Sequence, residues 1–114
     1  MLAAHPGATA KSRRNRMILI FLYDTAAPVS EACAARVQDL RLTDAPYVVL
    51  RGKGGKTRNM PIMTETVAHL RVYLAEFHPD PDPSTPLFHS AKNGRPGALT
   101  PDTISRALKQ AGDL

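Results

Sequence analysis

The chain has 114 residues, 43% hydrophobic and 22% charged, with a formal net charge of +5 and a pI of about 9.8. Its length fits one small domain, and its composition is too apolar for a chain that is disordered throughout. The longest apolar run, residues 17–23, falls far short of the roughly 20 residues that a membrane-spanning helix needs, so we expect a cytoplasmic protein with no membrane partner.

The positive charge favours an anionic partner, and nucleic acid is the commonest such partner of a basic domain. The single cysteine, Cys33, has no Cys or His neighbour at a zinc-binding spacing and is interpreted as a small core residue. The histidines also lack ligand spacing; they are His5, His69, His78 and His89. We therefore expect no metal site and no cofactor.

The first part of the chain is predicted to form a flexible basic leader over residues 1–13, followed by one domain over residues 14–114. Apolar residues cover most of the circumference of a helix predicted at residues 14–24, so this helix should be largely buried. Pro28 breaks the helical geometry, because it disfavours a helical backbone at the preceding residue and has no N–H to donate.

A second helix and a β-hairpin follow this break. The helix is predicted from about Ser30 to about Arg36, with Ser30 as its N-cap and with Glu31 placing negative charge in the first turn. Short extended runs joined by glycines and lysines predict a hairpin over residues 47–60. Glycines within residues 52–55 allow the positive φ angles that a tight reversal needs.

A third helix is predicted from Glu65 to about Phe77 from the spacing of its apolar residues, with Thr64 before it as the N-cap. The next segment, residues 78–86, contains four prolines among acidic and polar residues. This composition predicts an extended surface loop, with an interdomain linker as the alternative.

The remaining residues predict an apolar contact, two turns and a last helix. Residues 87–88 are a short apolar clip, while Asn-Gly at residues 93–94 and Pro-Gly at residues 96–97 indicate turns. Thr100 and the proline after it are typical of the start of a helix, which we expect to run to about Gln110.

The hairpin tip is the most informative segment for function. It combines Lys53, Lys56 and Arg58 with three glycines, and Arg51 immediately precedes it. Cationic side chains on a narrow turn can approach a phosphate backbone closely. Taken alone, these residues fit a solvated basic turn equally well.

Two segments, in this order, resemble the tyrosine recombinase (phage integrase) family. Residues 23–31, Tyr-Asp-Thr-Ala-Ala-Pro-Val-Ser-Glu, resemble the family's Tyr-x-Thr-Gly-x-Arg-x-Ser-Glu segment, and residues 51–61 resemble its β-hairpin. The apolar clip and the last helix also match, so the resemblance covers residues 13–112. It implies an α+β fold, mostly helical with a small antiparallel β-sheet at the hairpin of residues 47–60, and a catalytic domain whose C-terminal half is missing.

The resemblance implies an enzyme chemistry in which a tyrosine attacks a DNA phosphate to form a 3′-phosphotyrosyl bond, without a metal. Lys53 matches the hairpin lysine that donates a proton to the leaving 5′ oxygen, and Glu31 matches the acid that braces the site. The residues expected to contact the DNA backbone are Lys53, Lys56, Arg58 and Arg51.

Two departures from the family's pattern limit the expected activity. Pro28 occupies the position of the first catalytic arginine and offers no donor to a phosphate. The tyrosines, Tyr23, Tyr47 and Tyr73, match structural positions, and the family's His-x-x-Arg box and nucleophile are expected beyond Leu114.

Three hypotheses follow. The first is a fragment of a site-specific DNA recombinase or integrase that binds double-stranded DNA and is itself inactive. The alternative is a small non-catalytic DNA-binding or regulatory protein derived from a recombinase. The third is an assembly role, in which exposed apolar surface forms a homo-oligomer.

Overall fold

The computed structural model describes residues 9–80, 82–92 and 95–112. Its helices are α1 (Ala10–Thr25), α2 (Val29–Ala34), α3 (Thr64–Phe77) and α4 (Pro101–Gly112). Its strands are β1 (Leu40–Arg41), β2 (Tyr47–Arg51), β3 (Thr57–Pro61), β4 (His89–Lys92) and β5 (Arg95–Ala98). The predicted α+β class is confirmed. Across the described ranges, no helix is long and apolar enough to cross a membrane.

Helix α1 begins at Ala10, four residues before the predicted start. The Thr9 hydroxyl accepts a hydrogen bond from the backbone N–H of Ser12 at 3.1 Å and so caps the helix. Arg13 forms an ion pair with Glu76 of α3, which holds the first turn against a second helix. The helix therefore extends into the segment predicted as a flexible leader, whose first eight residues lie outside the described ranges.

The C-terminal half of α1 is buried on one face only. Its buried residues repeat at helical spacing, but Tyr23 is 89% exposed. The apolar run predicted a largely buried helix, and this prediction is wrong for Tyr23, because α1 packs on α3 and α4 and leaves its opposite face to solvent. The helix ends at Thr25, since Ala26 adopts a left-handed backbone with φ 53°.

The core joins α1, α3, α4 and the sheet. Phe21 of α1 is fully buried, and its ring meets that of Phe88 edge-on with centroids 5.3 Å apart. Leu87 is fully buried as well, so the predicted apolar clip is confirmed. The other large side chains without solvent contact are Ile18, Thr25, Val48, Leu50, Leu70 and Ile104.

Helix α2 starts one residue before the predicted cap. Pro28 is the N-cap, with φ −58° and ψ 148°, and its carbonyl accepts the N–H of Glu31 at 3.0 Å. Ser30 therefore lies inside the first turn and makes no capping bond, contrary to the prediction. The helix ends at Ala34, two residues before the predicted end.

The proline-rich segment after α3 is bonded to the end of α2. The backbone N–H groups of Val37 and Gln38 donate to the carbonyls of Thr85 and Pro83, each at 3.0 Å. The carbonyl of Ala35 accepts the N–H of the first residue of the apolar clip at 2.8 Å. These bonds fix the segment to the domain as part of it, so the alternative of an interdomain linker is wrong.

Strands β1, β2 and β3 form one antiparallel sheet in that order, and the predicted hairpin is confirmed as β2–β3. At its tip, the N–H of Gly52 donates to the carbonyl of Lys56 at 2.7 Å. Gly54 and Gly55 have φ 74° and 75°, a region in which a side chain is strained. The tip is therefore a defined turn.

Helix α3 ends at the predicted residue, but it begins one residue before the predicted start and has a different cap. Thr64 is its first helical residue, and Met63 is the N-cap without a side-chain bond, so the prediction of a Thr64 cap is wrong. The backbone N–H of Met63 donates to Asp24 Oδ2 of α1 at 2.8 Å. This bond holds the chain extended up to Met63 and places the start of the helix one residue later.

The last part of the chain contains a second hairpin that the sequence did not predict. Strands β4 and β5 pair antiparallel, and Pro96 and Gly97 lie within β5, so the Pro-Gly turn predicted there is wrong. The predicted turn at residues 93–94 lies outside the described ranges. The capping prediction for α4 is confirmed, because the Thr100 hydroxyl accepts the N–H of Thr103 at 3.2 Å.

Candidate nucleic-acid interface

The tip of the β2–β3 hairpin presents two lysines to solvent. Lys53 and Lys56 flank the glycine turn and are both exposed. Within the described part of the chain, neither lysine forms an ion pair with a carboxylate. Their charges are therefore available to an anion from outside.

Arg58 of β3 is paired with the acid that was predicted to brace the site. Its Nη1 donates to Glu31 Oε1 of α2 at 2.7 Å. The Glu31 side chain is 13% exposed and the Arg58 side chain 44%. A β-carbon added at Gly52 would lie 3.7 Å from Arg58 Nη1 and 3.7 Å from Glu31 Oε2. The ion pair is therefore next to Gly52, which directly precedes Lys53.

Arg51 of β2 makes the corresponding contact on the other strand. Its Nη2 donates to Asp39 Oδ1 at 2.8 Å, and the second carboxylate oxygen of Asp39 accepts the backbone N–H of Arg36 at 3.0 Å. The Asp39 side chain is only 2% exposed. Sequence reasoning did not select Asp39, because a single aspartate before a short strand carries no signal of burial.

These two ion pairs stand on neighbouring rungs of the hairpin. Arg58 is opposite Leu50 in the strand register, and Arg51 is opposite Thr57. Each strand is thus bonded to the segment formed by α2 and the turn after it, through a carboxylate that is more buried than its arginine. The arrangement holds the two strands where they enter the turn and leaves the lysine-bearing tip in solvent.

Pro28, which was predicted to occupy the position of the family's first catalytic arginine, is exposed and is the N-cap of the helix that carries Glu31. Proline has no side-chain donor, so a phosphate near this helix start would find no guanidinium there. Ala26 departs from the family's segment as well, because it stands where that segment has glycine and yet has a left-handed backbone.

The three tyrosines lie away from the hairpin tip along the chain. Tyr73 of α3 is buried, its hydroxyl donates to the carbonyl of Leu87 at 2.8 Å, and burial raises the pKa of its phenol. Tyr47 begins β2 at the end of the hairpin opposite the tip. Tyr23 is on the exposed face of α1.

No residue was predicted to bind a metal ion or a cofactor. Throughout residues 9–80, 82–92 and 95–112, no group of three or more His, Cys, Asp or Glu side chains is placed to hold a metal ion.

Comparison with known proteins identifies relatives of this arrangement. The Phage integrase family matches residues 1–114. The chain is 33% identical over 99 residues to the tyrosine recombinase XerA of Pyrococcus furiosus, covering 87% of this chain and 34% of that protein. It is 45% identical over 67 residues to the tyrosine recombinase XerD of Mycobacterium tuberculosis, covering 59% of this chain and 21% of that protein.

Solved structures share the fold. The crystal structure of XerA recombinase matches 98% of this chain and 44% of its own chain, with a TM-score of 0.69 and 22% identity. The XerH site-specific recombinase bound to palindromic difH substrate, in a post-cleavage complex, matches 92% of this chain and 31% of its own chain, with a TM-score of 0.67 and 24% identity. The predicted recombinase catalytic-domain fold is thus confirmed.

The chain spans about a third of the length of the curated relatives that match most of it. The family match nevertheless extends over every residue of the sequence, and the predicted membership of the tyrosine recombinase (phage integrase) family is confirmed. The chain belongs to the phage integrase family.

Proposed function

We propose that this chain is a DNA-contacting part of a site-specific recombinase and that it binds double-stranded DNA through the tip of the β2–β3 hairpin. The observation that carries the proposal is that Lys53 and Lys56, which have no ion-pair partner among the described residues, lie on a turn whose flanking strands are held by two ion pairs. The XerH structures that share its fold are complexes with difH substrate, which favours DNA as the partner here.

The physical basis of this binding is phosphate neutralisation by a preorganised turn. Each lysine that neutralises a phosphate releases condensed counterions, and this release drives binding that does not depend on base sequence. The glycines at the tip have no side chains that would keep the two lysines away from the phosphate backbone of the DNA. Arg51 and Arg58 keep further N–H donors beyond those that contact Asp39 and Glu31, so they can add phosphate contacts where the strands meet the turn.

Within a complete recombinase, we propose that Lys53 donates a proton to the leaving 5′ oxygen and that Glu31 braces the site through Arg58. An ammonium on the tip can approach the phosphate as general acid catalysis requires. Glu31 fixes the strand that follows the tip, since it holds Arg58 at 2.7 Å. Both roles follow from the resemblance to the family and need the rest of a recombinase active site.

The DNA-binding proposal is tested by a double variant of the tip. Lys53→Gln/Lys56→Gln removes two charges from exposed positions, so folding should be unchanged while affinity for a short duplex falls by roughly tenfold or more at low salt. Lys109→Gln, on the exposed side of α4, is the matched control and should bind as the unmodified chain does. Equal affinity for all three proteins would contradict the proposal.

A second candidate, a DNA-binding protein without catalysis, is favoured by Pro28. A proline where the family has an arginine cannot clamp a phosphate, and Tyr73 is buried with a raised pKa, which disfavours its phenolate as a nucleophile. We therefore propose that this chain forms no covalent DNA adduct. The test is incubation with a nicked duplex followed by denaturing electrophoresis. A denaturant-stable protein–DNA band would contradict it.

Self-association and location are secondary proposals. The exposed large apolar side chains of the described residues are Tyr23, Met63 and Val72, and a homo-oligomer would form through them. Light scattering across a concentration series checks this. A cytoplasmic location is proposed because the proposed partner is DNA.

A further inference from the structure

A second basic feature lies beside the hairpin, in a cleft between the end of α2 and strand β2. The cleft has a volume of 520 Å³, within the range of roughly 300–1,000 Å³ that is typical of ligand sites. Its lining residues are Cys33, Ala34, Arg36, Gln38, Arg51 and Pro86. Two of these carry positive charge, Gln38 contributes a polar amide, and the other three are small or apolar.

The charge balance of this cleft is positive. The carboxylate that is bonded to two of the lining residues, that of Asp39, accepts one hydrogen bond at each oxygen, from the Arg51 guanidinium and from the backbone N–H of Arg36. Arg36 is exposed, and its guanidinium forms no ion pair within the described part of the chain. Only the Arg51 guanidinium is paired with this carboxylate, so the charge of Arg36 has no carboxylate partner among the described residues.

The donors at the cleft suit a tetrahedral anion. A guanidinium has five N–H donors, and Arg51 spends one on Asp39, so most donors of both arginines remain free for another acceptor. Arginine recognises phosphate through paired N–H donors, and Gln38 adds an amide at the same cleft. Because arginine is always charged in proteins, the site keeps its charge at any physiological pH.

We propose that this cleft binds one phosphate of the DNA backbone between Arg36 and Arg51, as a contact additional to the hairpin tip. The inference rests on the proposed function. DNA is favoured over a free anion because Arg51 is separated from Lys53 by one residue, so the cleft opens next to the tip. Phosphates repeat about every 3.4 Å along the axis of each strand, so a duplex held by the tip brings further phosphates to this side.

The single cysteine of the chain reports on the cleft. Cys33 is partly buried at its wall, and burial raises the pKa of its thiol, so a thiol reagent should modify it slowly. A bound phosphate both shields the sulfur and disfavours the thiolate. Saturating duplex DNA should therefore slow the reaction with N-ethylmaleimide by roughly threefold to tenfold.

A charge variant supplies an independent readout. Arg36→Gln removes one guanidinium but keeps the backbone N–H that bonds to Asp39. The slope of log affinity against log salt for duplex binding should become shallower by about 1, as expected for the loss of one phosphate contact. Arg106→Gln, exposed on α4 and absent from the cleft lining, should leave the slope unchanged.

The outcomes separate this inference from the proposal on which it rests. If the tip variant Lys53→Gln/Lys56→Gln weakens binding but Arg36→Gln leaves the slope unchanged and DNA does not protect Cys33, the cleft assignment is wrong and the tip assignment stands. If inorganic phosphate alone at matched ionic strength protects Cys33 as well as DNA does, the cleft is a free-anion site and the DNA assignment is overturned. Absence of any DNA binding overturns both.

Discussion

Glu31 on α2 and Arg58 on β3 are 27 positions apart in the chain and are joined by a hydrogen-bonded ion pair of 2.7 Å. This contact connects the two segments that carry the resemblance to the phage integrase family, the one that ends at Glu31 and the hairpin. Glu31 therefore acts on the hairpin through a neighbour on the strand, and its effect on the lysine-bearing tip is indirect.

The first prediction concerns the strength of that pair. Replacing Glu31 with Gln, Arg58 with Gln, and both together should give a coupling energy of about 0.5–1.5 kcal/mol in urea unfolding. The expected coupling energy is small because the Arg58 side chain is 44% exposed and solvent screens its charge. Glu65→Gln, in the first turn of α3, is the control and should show no coupling with Arg58→Gln. Strict additivity of the two single losses would show that the pair does not stabilise the hairpin.

The second prediction is that Arg51→Gln costs more stability than Arg58→Gln. The Arg51→Gln change removes the charged partner of Asp39, whose side chain is 2% exposed. The carboxylate then keeps one hydrogen-bond donor among the described residues, the backbone N–H of Arg36. A buried carboxylate that loses a charged partner should lower the free energy of unfolding by about 1–3 kcal/mol. Arg51→Lys should recover part of the loss. A smaller loss than for Arg58→Gln would contradict the burial argument.

The third prediction is that Ala26→Gly stabilises the chain. Ala26 has φ 53°, where a β-carbon costs about 1–2 kcal/mol, while glycine costs roughly 0.5–1 kcal/mol in unfolded-state entropy. We expect a net gain of about 0.5–1 kcal/mol in thermal or urea unfolding. Ala68→Gly, in the exposed face of α3, should destabilise by a similar amount. A loss of stability with Ala26→Gly would mean that the left-handed backbone is not strained.

The fourth prediction concerns acid pH. Burial lowers the pKa of His78, more than its hydrogen bond to the Leu87 carbonyl raises it, and the nearby imidazole of His89 lowers it further. As the pH falls below about 6.5, the unfolded chain takes up the proton first, so stability is full above that pH and declines towards the lowered pKa of the folded state.

Urea unfolding at about pH 7.5 and about pH 5.5 measures this decline. His78→Gln keeps a donor that can reach the Leu87 carbonyl but cannot take up a proton, so the loss between the two pH values should shrink. His69→Gln, within α3, is the control and should show the same loss of stability between the two pH values as the unmodified chain. An identical loss in the His78 variant would assign the pH dependence to other groups.

Local sequence patterns predicted the hairpin, α3 and α4 well, because apolar spacing and glycine placement are local properties. The failures lie where another part of the fold fixes the local geometry. Thr64 is not the cap of α3, because Asp24 of α1 holds Met63 extended just before it. Tyr23 is exposed, because the described elements that pack on α1, namely α3 and α4, lie against its other face.

The candidate site was predictable only in part. Lys53 and Lys56 were selected from their place on the glycine turn, and the structure places both in solvent. The partners of Arg51 and Arg58 were not predictable, because an ion pair between segments 12 or 27 positions apart depends on how α2 packs on the sheet. Asp39 forms a buried ion pair with Arg51, but no residue near it in the sequence indicates that its carboxylate is buried.

The most direct test of DNA binding through the hairpin tip is the salt dependence of duplex affinity for the unmodified chain, measured by fluorescence anisotropy between about 50 and about 200 mM salt. We predict a linear fall of log affinity against log salt with a slope between about −2 and −4, made shallower by about 2 in Lys53→Gln/Lys56→Gln. A slope near zero, or the same slope in both proteins, would contradict phosphate binding by the tip.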